Sequence, residues 1–404
     1  MHMNIPVSSS NQTSFRSKAR APGVVLALLS CLPIAGTLLV SQILPQMERA
    51  FSTTPHVRLQ VSLALTIPAL VIAITSWISG WIADRIGRRR LLVVALATYA
   101  IVGVLPIILS QLGLITVSRA AMGLAEALIL TCSTALIGDM YPPGRREFFL
   151  SLQTSIASIA AVTFAILGGA LGEFGWQAPF FVYAIALPFL AAVFWTVPAS
   201  VDNPGQPRPL AERTTTNAFP LSALARICGV TVILSAGFYV AQIQLPFMLS
   251  DKGIASPGVI GMVSALTNVA VVVGTACFPL LRRIGLRNAS MLCFLLLAVG
   301  LAVAGIAPTV TTLCAGLSLA SFAGGMALPT LITSAMDLVE AEHRGLGTGM
   351  WQSSFWAGQF ASPLLVVGIT ALAGTLGSAV MVFAGTSLAT MLVLPWIFRS
   401  ESQS

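Results

Sequence analysis

The chain has 404 residues, 56% hydrophobic and only 8% charged, with a mean hydropathy of +0.90. A soluble domain carries about 25% charged residues, so this composition excludes a water-soluble globular protein and points to a polytopic membrane protein. The net charge of +8 and pI of 9.7 raise nucleic-acid binding, which the placement of the cations argues against.

Apolar runs of roughly 20 residues, each long enough to cross about 30 Å of hydrocarbon, recur along the chain. They fall at 23–45, 59–83, 91–110, 112–138, 149–172 and 178–198, then at 222–249, 256–281, 289–307, 310–336, 346–372 and 377–398. Continuous runs of this kind are helices, because each helix satisfies its own backbone hydrogen bonds in lipid. The expected fold is an all-α membrane protein with twelve transmembrane helices. The polar stretch before the first span holds three basic residues, and we expect a retained signal-anchor helix there. The expected layout is an N-terminal tail (1–22), a six-helix bundle (23–198), a linker (199–221) rich in Pro, Thr and charge, a second bundle (222–398) and a short tail (399–404).

With both termini cytoplasmic, seventeen of the 21 Lys and Arg residues lie on the inner side. Arg49, Arg58 and Lys252 lie outside, and Arg119 lies within a span. This positive-inside bias explains the basic pI without a polyanionic partner, so nucleic acid is not expected. The six cysteines all fall in apolar spans and read as small buried hydrophobes. The three His lie outside the spans, leaving no intramembrane metal-ligand set.

The halves repeat. "ADRIGRRR" after the second span is echoed by "LRRIGLRN" after the eighth, with Arg85 and Gly87 matched 198 positions on by Arg283 and Gly285. The same offset carries Asp139 to Asp337 and Arg146 to Arg344 in the next pair of inner loops. Leu44-Pro45 and Leu245-Pro246 mark the outer ends of the first and seventh spans. One offset aligning two loops implies two pseudo-symmetric six-helix bundles, a transporter plan with the site between them.

The energy source follows by elimination. A P-loop needs Gly-Lys, and the two lysines follow Ser17 and Asp251. Uphill movement would therefore need an ion gradient or a partner ATPase. An enzyme is not expected, because no intramembrane Asp pair, His-metal set or Gly-x-Ser-x-Gly is present.

"GWIADRIGRRR", Gly80 to Arg90, resembles the loop signature of the major facilitator superfamily. Gly80 is expected to let a neighbouring helix approach, and Asp84 to face the positive N-terminal end of another helix. The resemblance implies that this partner helix begins near "RGLGTG", Arg344 to Gly349, and that the contact holds an inner gate. Arg85 and Arg88 to Arg90 are expected to meet anionic lipid and acidic loop residues. The gating set is thus Gly80, Asp84, Arg85, Gly87, Arg88, Asp139, Arg146, Asp337 and Arg344. Trp81 and Trp176, near span ends, read as interface anchors.

"RAAMGLAEA" matches a further pattern of the family, with Arg119, Gly123 and Ala127 at its positions. Glu126 is found in some branches, including Spinster-like and organic-anion carriers, and is absent from many drug exporters. The antiporter pattern of the fifth span keeps only Gly168-Gly169, with Ala160, Phe164 and Ala165 elsewhere.

Of thirteen acids, Glu126 alone sits near mid-membrane, where insertion of a charge costs about 2.5–3.5 kcal/mol. Seven residues span about two turns, or roughly 10.5 Å. Arg119 and Glu126 therefore share a face, with Met122, Gly123 and Ser133, but are too far apart for an unaided tight ion pair. Gly123 is expected to leave room between them. Burial and a nearby cation act in opposite senses on a carboxyl, so Glu126 is expected to load and release a proton, with Arg119 tuning it or meeting an anionic substrate. The alternative is an interhelical bond that only fixes packing.

Tyr239 and Gln242 share a face of the seventh span, and Gln352, Trp356 and Gln359 one of the eleventh. Gln42, Gln153 and Asn268 stand isolated. The expected substrate-binding set is Gln42, Tyr239, Gln242, Asn268, Gln352, Trp356 and Gln359, each equally open to an interhelical bond. The leading reading is a monomeric, proton-driven exporter of small, partly apolar organic compounds in the inner membrane, with no cofactor and with protons, substrate and lipids as its partners. Proton-coupled uptake of an organic anion and a non-transporting sensor or scaffold stay open.

Overall fold

A computed structural model describes residues 20–199, 221–339 and 344–399. Most of the expected linker and both tails lie outside these residues, as do the side chains of Trp81, Asp84 and Arg344. Among the described residues, twelve helices are long and apolar enough to cross a membrane. In the first half they are α1 (Ala21–Ser41), α2 (Val57–Ile86), α3 (Arg88–Val104), α4 (Leu112–Met140), α5 (Pro143–Gly172) and α6 (Ala178–Thr196). In the second they are α7 (Leu221–Ile243), α8 (Pro257–Ala276), α9 (Leu286–Gly305), α10 (Val310–Asp337), α11 (Arg344–Ala373) and α12 (Leu376–Arg399). We call the end where α1 begins and α12 finishes the termini end, and the opposite one the far end.

The helices outrun the apolar runs where polar residues continue a turn. α5 starts at Pro143, six residues before its apolar run, because Pro is pre-organised for the first turn and its missing N–H is an orphan there anyway. Hydrophobicity marks what lipid touches, whereas the backbone ladder needs only a start and a stop. α1 is broken after Leu28, and Ser30 donates to the carbonyls of Ala27 (2.8 Å) and Gln153 (2.9 Å) at the break.

The repeat is visible in local geometry. Gly87 (φ 102°) and Gly285 (φ 83°) both turn the chain into the next helix in a conformation other residues adopt only with strain. Leu44-Pro45 and Leu245-Pro246 open equivalent short helices, Leu44–Ala50 and Leu245–Asp251, which pack against each other at the far end.

Two hydrophobic cores follow the halves. One is built almost wholly from α1 to α6, with Leu32, Tyr99, Ile129 and Phe180, and takes Ile243 and Phe247 from the second half. The other is built from α7 to α12, with Leu234, Phe294, Leu317 and Phe383. The halves meet where α2 packs on α11 and α5 on α8. Large apolar side chains such as Ile101, Ile108 and Leu372 are exposed, which suits hydrocarbon rather than water. The six cysteines are free, four buried and two half-buried.

No described atom lies within 4 Å of where a Cβ on Gly80 would sit. The expectation of space at Gly123 fails. At Gly123 a Cβ would meet the Pro68 backbone of α2 at 2.5 Å, so the residue is spent on a helix crossing and leaves no space for water or substrate.

Candidate functional site

α4 carries Arg119 and Glu126 into the interior of the first half, where they are 1% and 3% exposed. Both turn toward α1 at Gly36. Arg119 Nη2 donates to the Gly36 carbonyl, and Nη1 lies 2.6 Å from the Met122 sulfur. The guanidinium carbon sits 5.4 Å from the centre of the Tyr183 ring, a cation–π distance. Tyr183 donates to the carbonyls of Gly36 (3.2 Å) and Ala35 (3.4 Å), and Tyr99 to that of Leu32 (2.7 Å). These tyrosines cross edge to face, with centroids 5.7 Å apart.

Glu126 lies against the same glycine, with its Oε1 where a side chain on Gly36 would stand. That oxygen is buried and has no hydrogen-bond partner among the described residues, and neither has Arg119 Nε. Arg119 and Glu126 form no ion pair there either, as their spacing implies. The α1 backbone therefore takes the cation's hydrogen bond, while the acid has none on that oxygen.

A second group lines α7 and α11. Tyr239 packs its ring 5.6 Å from Phe355 and 5.0 Å from Phe238, and it also touches the first half's core. Trp351 stacks on Phe355 (5.8 Å, 12°), and Trp356 crosses Phe355 at 6.0 Å. Gln242 donates to Ser321 of α10 (3.2 Å). Gln352 is exposed, Trp356 half-buried and Gln359 buried with an unpaired Oε1.

Gln42 and Asn268 are not isolated, as their lone positions in the spans implied. Ser264 of α8 donates to Oε1 of Gln42, just past α1 (2.9 Å), and Asn268 donates to the Ser264 carbonyl (2.8 Å). Gln153 of α5 likewise reaches Ser133 Oγ and the Leu26 carbonyl, each at 3.5 Å.

The far ends of the halves are tied by contacts the sequence does not advertise. Glu173, just past α5, accepts from Ser256 Oγ (2.5 Å) and the Gly258 N–H (2.8 Å) at the start of α8. A carboxylate is well placed at a helix N-terminus. These hydrogen bonds, the serine's first, hold the Glu173 carboxyl below its ordinary range. Gly169 of α5 meets α8 backbone to backbone, so a Cβ there would stand 2.5 Å from the Pro257 carbonyl and 2.9 Å from the Gly261 Cα. Arg58 lies 3.7 Å from Asp251 and 4.5 Å from the Phe247 ring centre.

At the termini end, Arg88 pairs with Asp139 at 2.6 Å and donates to the Ala135 carbonyl at 3.2 Å. The pair is not repeated. Leu286 stands where the offset would put an arginine, and Asp337 is exposed without an ion pair among the described residues. Arg85 and Arg146 are exposed. The described part of α11 starts at Arg344, within the "RGLGTG" stretch.

A family model described as Major Facilitator Superfamily matches residues 26–227 and again 227–404. The chain belongs to the Major Facilitator Superfamily. With twelve apolar helices, it is a polytopic integral membrane protein of this transporter superfamily. Part of it, 187 residues or 45% of the chain, is 31% identical to the multidrug efflux pump LfrA of Mycolicibacterium smegmatis (strain ATCC 700084 / mc(2)155). That match spans 36% of the pump's own length. A crystal structure of a bacterial homologue of human lysosomal Spinster, inward-facing and unoccupied, superposes with a TM-score of 0.72. It is 15% identical over 93% of this chain and 94% of that one. The POT family transporter PepTSo superposes at 0.75, with 14% identity over 95% and 99%. At such identities the likeness shows the fold alone.

Within this superfamily chain, sequence reasoning missed Gly36, Tyr99, Tyr183, Phe355 and the Glu173–Ser256 latch. Phe355 was within reach, since Trp351, Phe355 and Trp356 form an aromatic run at helical spacing. The tyrosines and Gly36 carry no such signal, because each matters through a helix distant in the chain.

Proposed function

We propose that the protein is a proton-coupled secondary transporter that exports small, partly apolar organic compounds by alternating access. Its two bundles, residues 23–198 and 222–398, move against each other around the linker at 199–221. The observation that carries the coupling is the Glu126 carboxyl, buried at mid-membrane with an oxygen that no described group hydrogen-bonds. Leaving a buried polar atom unpaired is expensive, and a proton binding there removes the charge. Arg119, anchored on the Gly36 carbonyl, supplies a fixed positive charge beside the site for the deprotonated form. Because both contacts run through α1, movement of that helix changes what the carboxyl faces.

Substrate is taken by the α7 and α11 lining, with Tyr239, Gln242, Gln352, Trp356 and Gln359, and by the Gln42–Asn268 seam between α1 and α8. This lining is aromatic and amide-rich, which favours partly apolar compounds. Uptake of an organic anion has less support, because Arg119 is buried against α1 and Tyr183. Cation placement supports insertion in the inner membrane with both termini cytoplasmic, so the far end faces outward. Gly80, Asp84, Arg85, Gly87, Arg88, Asp139, Arg146, Asp337 and Arg344 form the inner gate and its lipid anchors. The transporter works as a monomer without a cofactor.

The test is transport of a panel of apolar fluorescent dyes in energised inverted vesicles. Dye accumulation that collapses with the pH gradient supports export. Movement of dye and protons in the same direction supports uptake, and binding without flux contradicts both.

A further inference from the structure

At the far end, the two halves leave a crevice of about 350 Å³ lined by the start of α2, the end of α11 and Gln244 beyond α7. That volume is in the range of small-molecule sites. Its apolar lining is Val57, Leu59, Val366, Val367 and Leu376. Its polar lining, which includes no acid, has Arg58, His56, Thr370 and Gln244.

Several polar groups here are not used by the fold. Gln244 is 2% exposed, yet no hydrogen bond ties its side-chain amide to any described residue. Thr370 Oγ1 and Arg58 Nη2 are buried without hydrogen-bond partners. Arg58 does face Asp251, but at 3.7 Å and with both side chains partly exposed. A loose pair of that kind contributes little and yields to a better-placed anion. A guanidinium with free donors beside an amide, a hydroxyl and an apolar wall matches one ligand chemistry, an acidic group on an apolar body.

We propose that this crevice is a second ligand site, separate from the central lining, that takes an amphiphilic organic monoanion. The anionic group meets Arg58, Gln244 and Thr370, and the apolar body lies on the valines and leucines. Because the walls come from both halves, occupancy holds the far ends together. The proposal rests on neither the direction of transport nor the role of Glu126.

The experiment measures thermal unfolding of the full-length protein in phosphatidylcholine nanodiscs. The probe is naphthalene-2-sulfonate, with 2-naphthylmethylammonium as a cation of the same ring system. The sulfonate should raise the melting temperature saturably and the cation should not. Arg58→Gln should weaken the apparent affinity about tenfold or more, the loss expected for a charged hydrogen bond. Gln244→Leu should weaken it less, and Trp356→Ala in the central lining should leave it unchanged. Phosphatidylglycerol added to the nanodiscs reads the other source of the same chemistry, and an Arg58-dependent shift from it would name a lipid as the occupant. If neither anion gives a shift that depends on Arg58 and Gln244, the site does not exist.

Discussion

Arg119 and Glu126, two turns apart on α4, converge on one residue of α1. The arginine donates to the Gly36 carbonyl, and the glutamate carboxyl fills the space a side chain at Gly36 would take. The two charges are linked through another helix's backbone rather than through each other.

That arrangement makes Gly36 sensitive to the smallest addition. A methyl group in Gly36→Ala would collide with Glu126 Oε1, the far end of a flexible side chain, so the cost lies at the low end of the overpacking range of about 1–3 kcal/mol. The melting temperature should fall, and proton-driven transport should fall with it. Adding Glu126→Ala, which vacates the space, should recover the melting temperature but not the transport. Equal melting temperatures for Gly36→Ala and wild type would contradict the contact.

The far-end latch should respond to pH. Hydrogen bonds from Ser256 and Gly258 hold the Glu173 carboxyl below its ordinary value, which for Glu is about 4.3. A group depressed in the bonded state contributes its full stabilisation above that ordinary value and loses it as pH falls through the depressed one. Spin labels on Phe174→Cys and Lys252→Cys should therefore separate only in strongly acidic buffer. In Glu173→Gln the distance should not change with pH.

Gly169 and Gly261 bring α5 and α8 into backbone contact. Gly169→Val should push the far ends apart, with a loss of about 1–3 kcal/mol in stability and faster labelling of a cysteine placed at Ser264. Unchanged labelling would show that the seam tolerates a side chain there.

The termini-end pair is a separate test. Arg88→Leu copies the residue at the equivalent point of the repeat, Leu286, and removes the arginine that Asp139 pairs with. The Arg88 and Asp139 side chains are 16% and 33% exposed, so the loss should be modest, about 0.5–2 kcal/mol. Arg88→Leu combined with Asp139→Asn should recover part of it in a double-mutant cycle. A cycle with no coupling would reduce the pair to a surface contact.

Much of this architecture is legible in the sequence because lipid imposes it. Spans, the loops between them and the duplication follow from apolar runs and one offset, and Gly87 and Gly285 keep the same turn. The partly kept fifth-span motif also makes sense: Gly168 and Gly169 remain where α5 meets another helix's backbone, at Leu39 and Pro257. What stays hidden is which neighbour each face meets. Helical spacing puts Gly123 beside Arg119 and Glu126 but does not say that Pro68 occupies the gap. Nor does it say that Gly80 touches nothing described. Gln42 and Asn268 look solitary along the chain and are joined by Ser264, 222 positions from Gln42.

In the proposed mechanism Glu126 carries the coupled proton. The most direct measurement compares wild type with Glu126→Gln in proteoliposomes, following dye accumulation driven by a pH gradient and dye exchange without one. Glu126→Gln should keep exchange and lose gradient-driven accumulation. Accumulation along the gradient at the wild-type rate would contradict it.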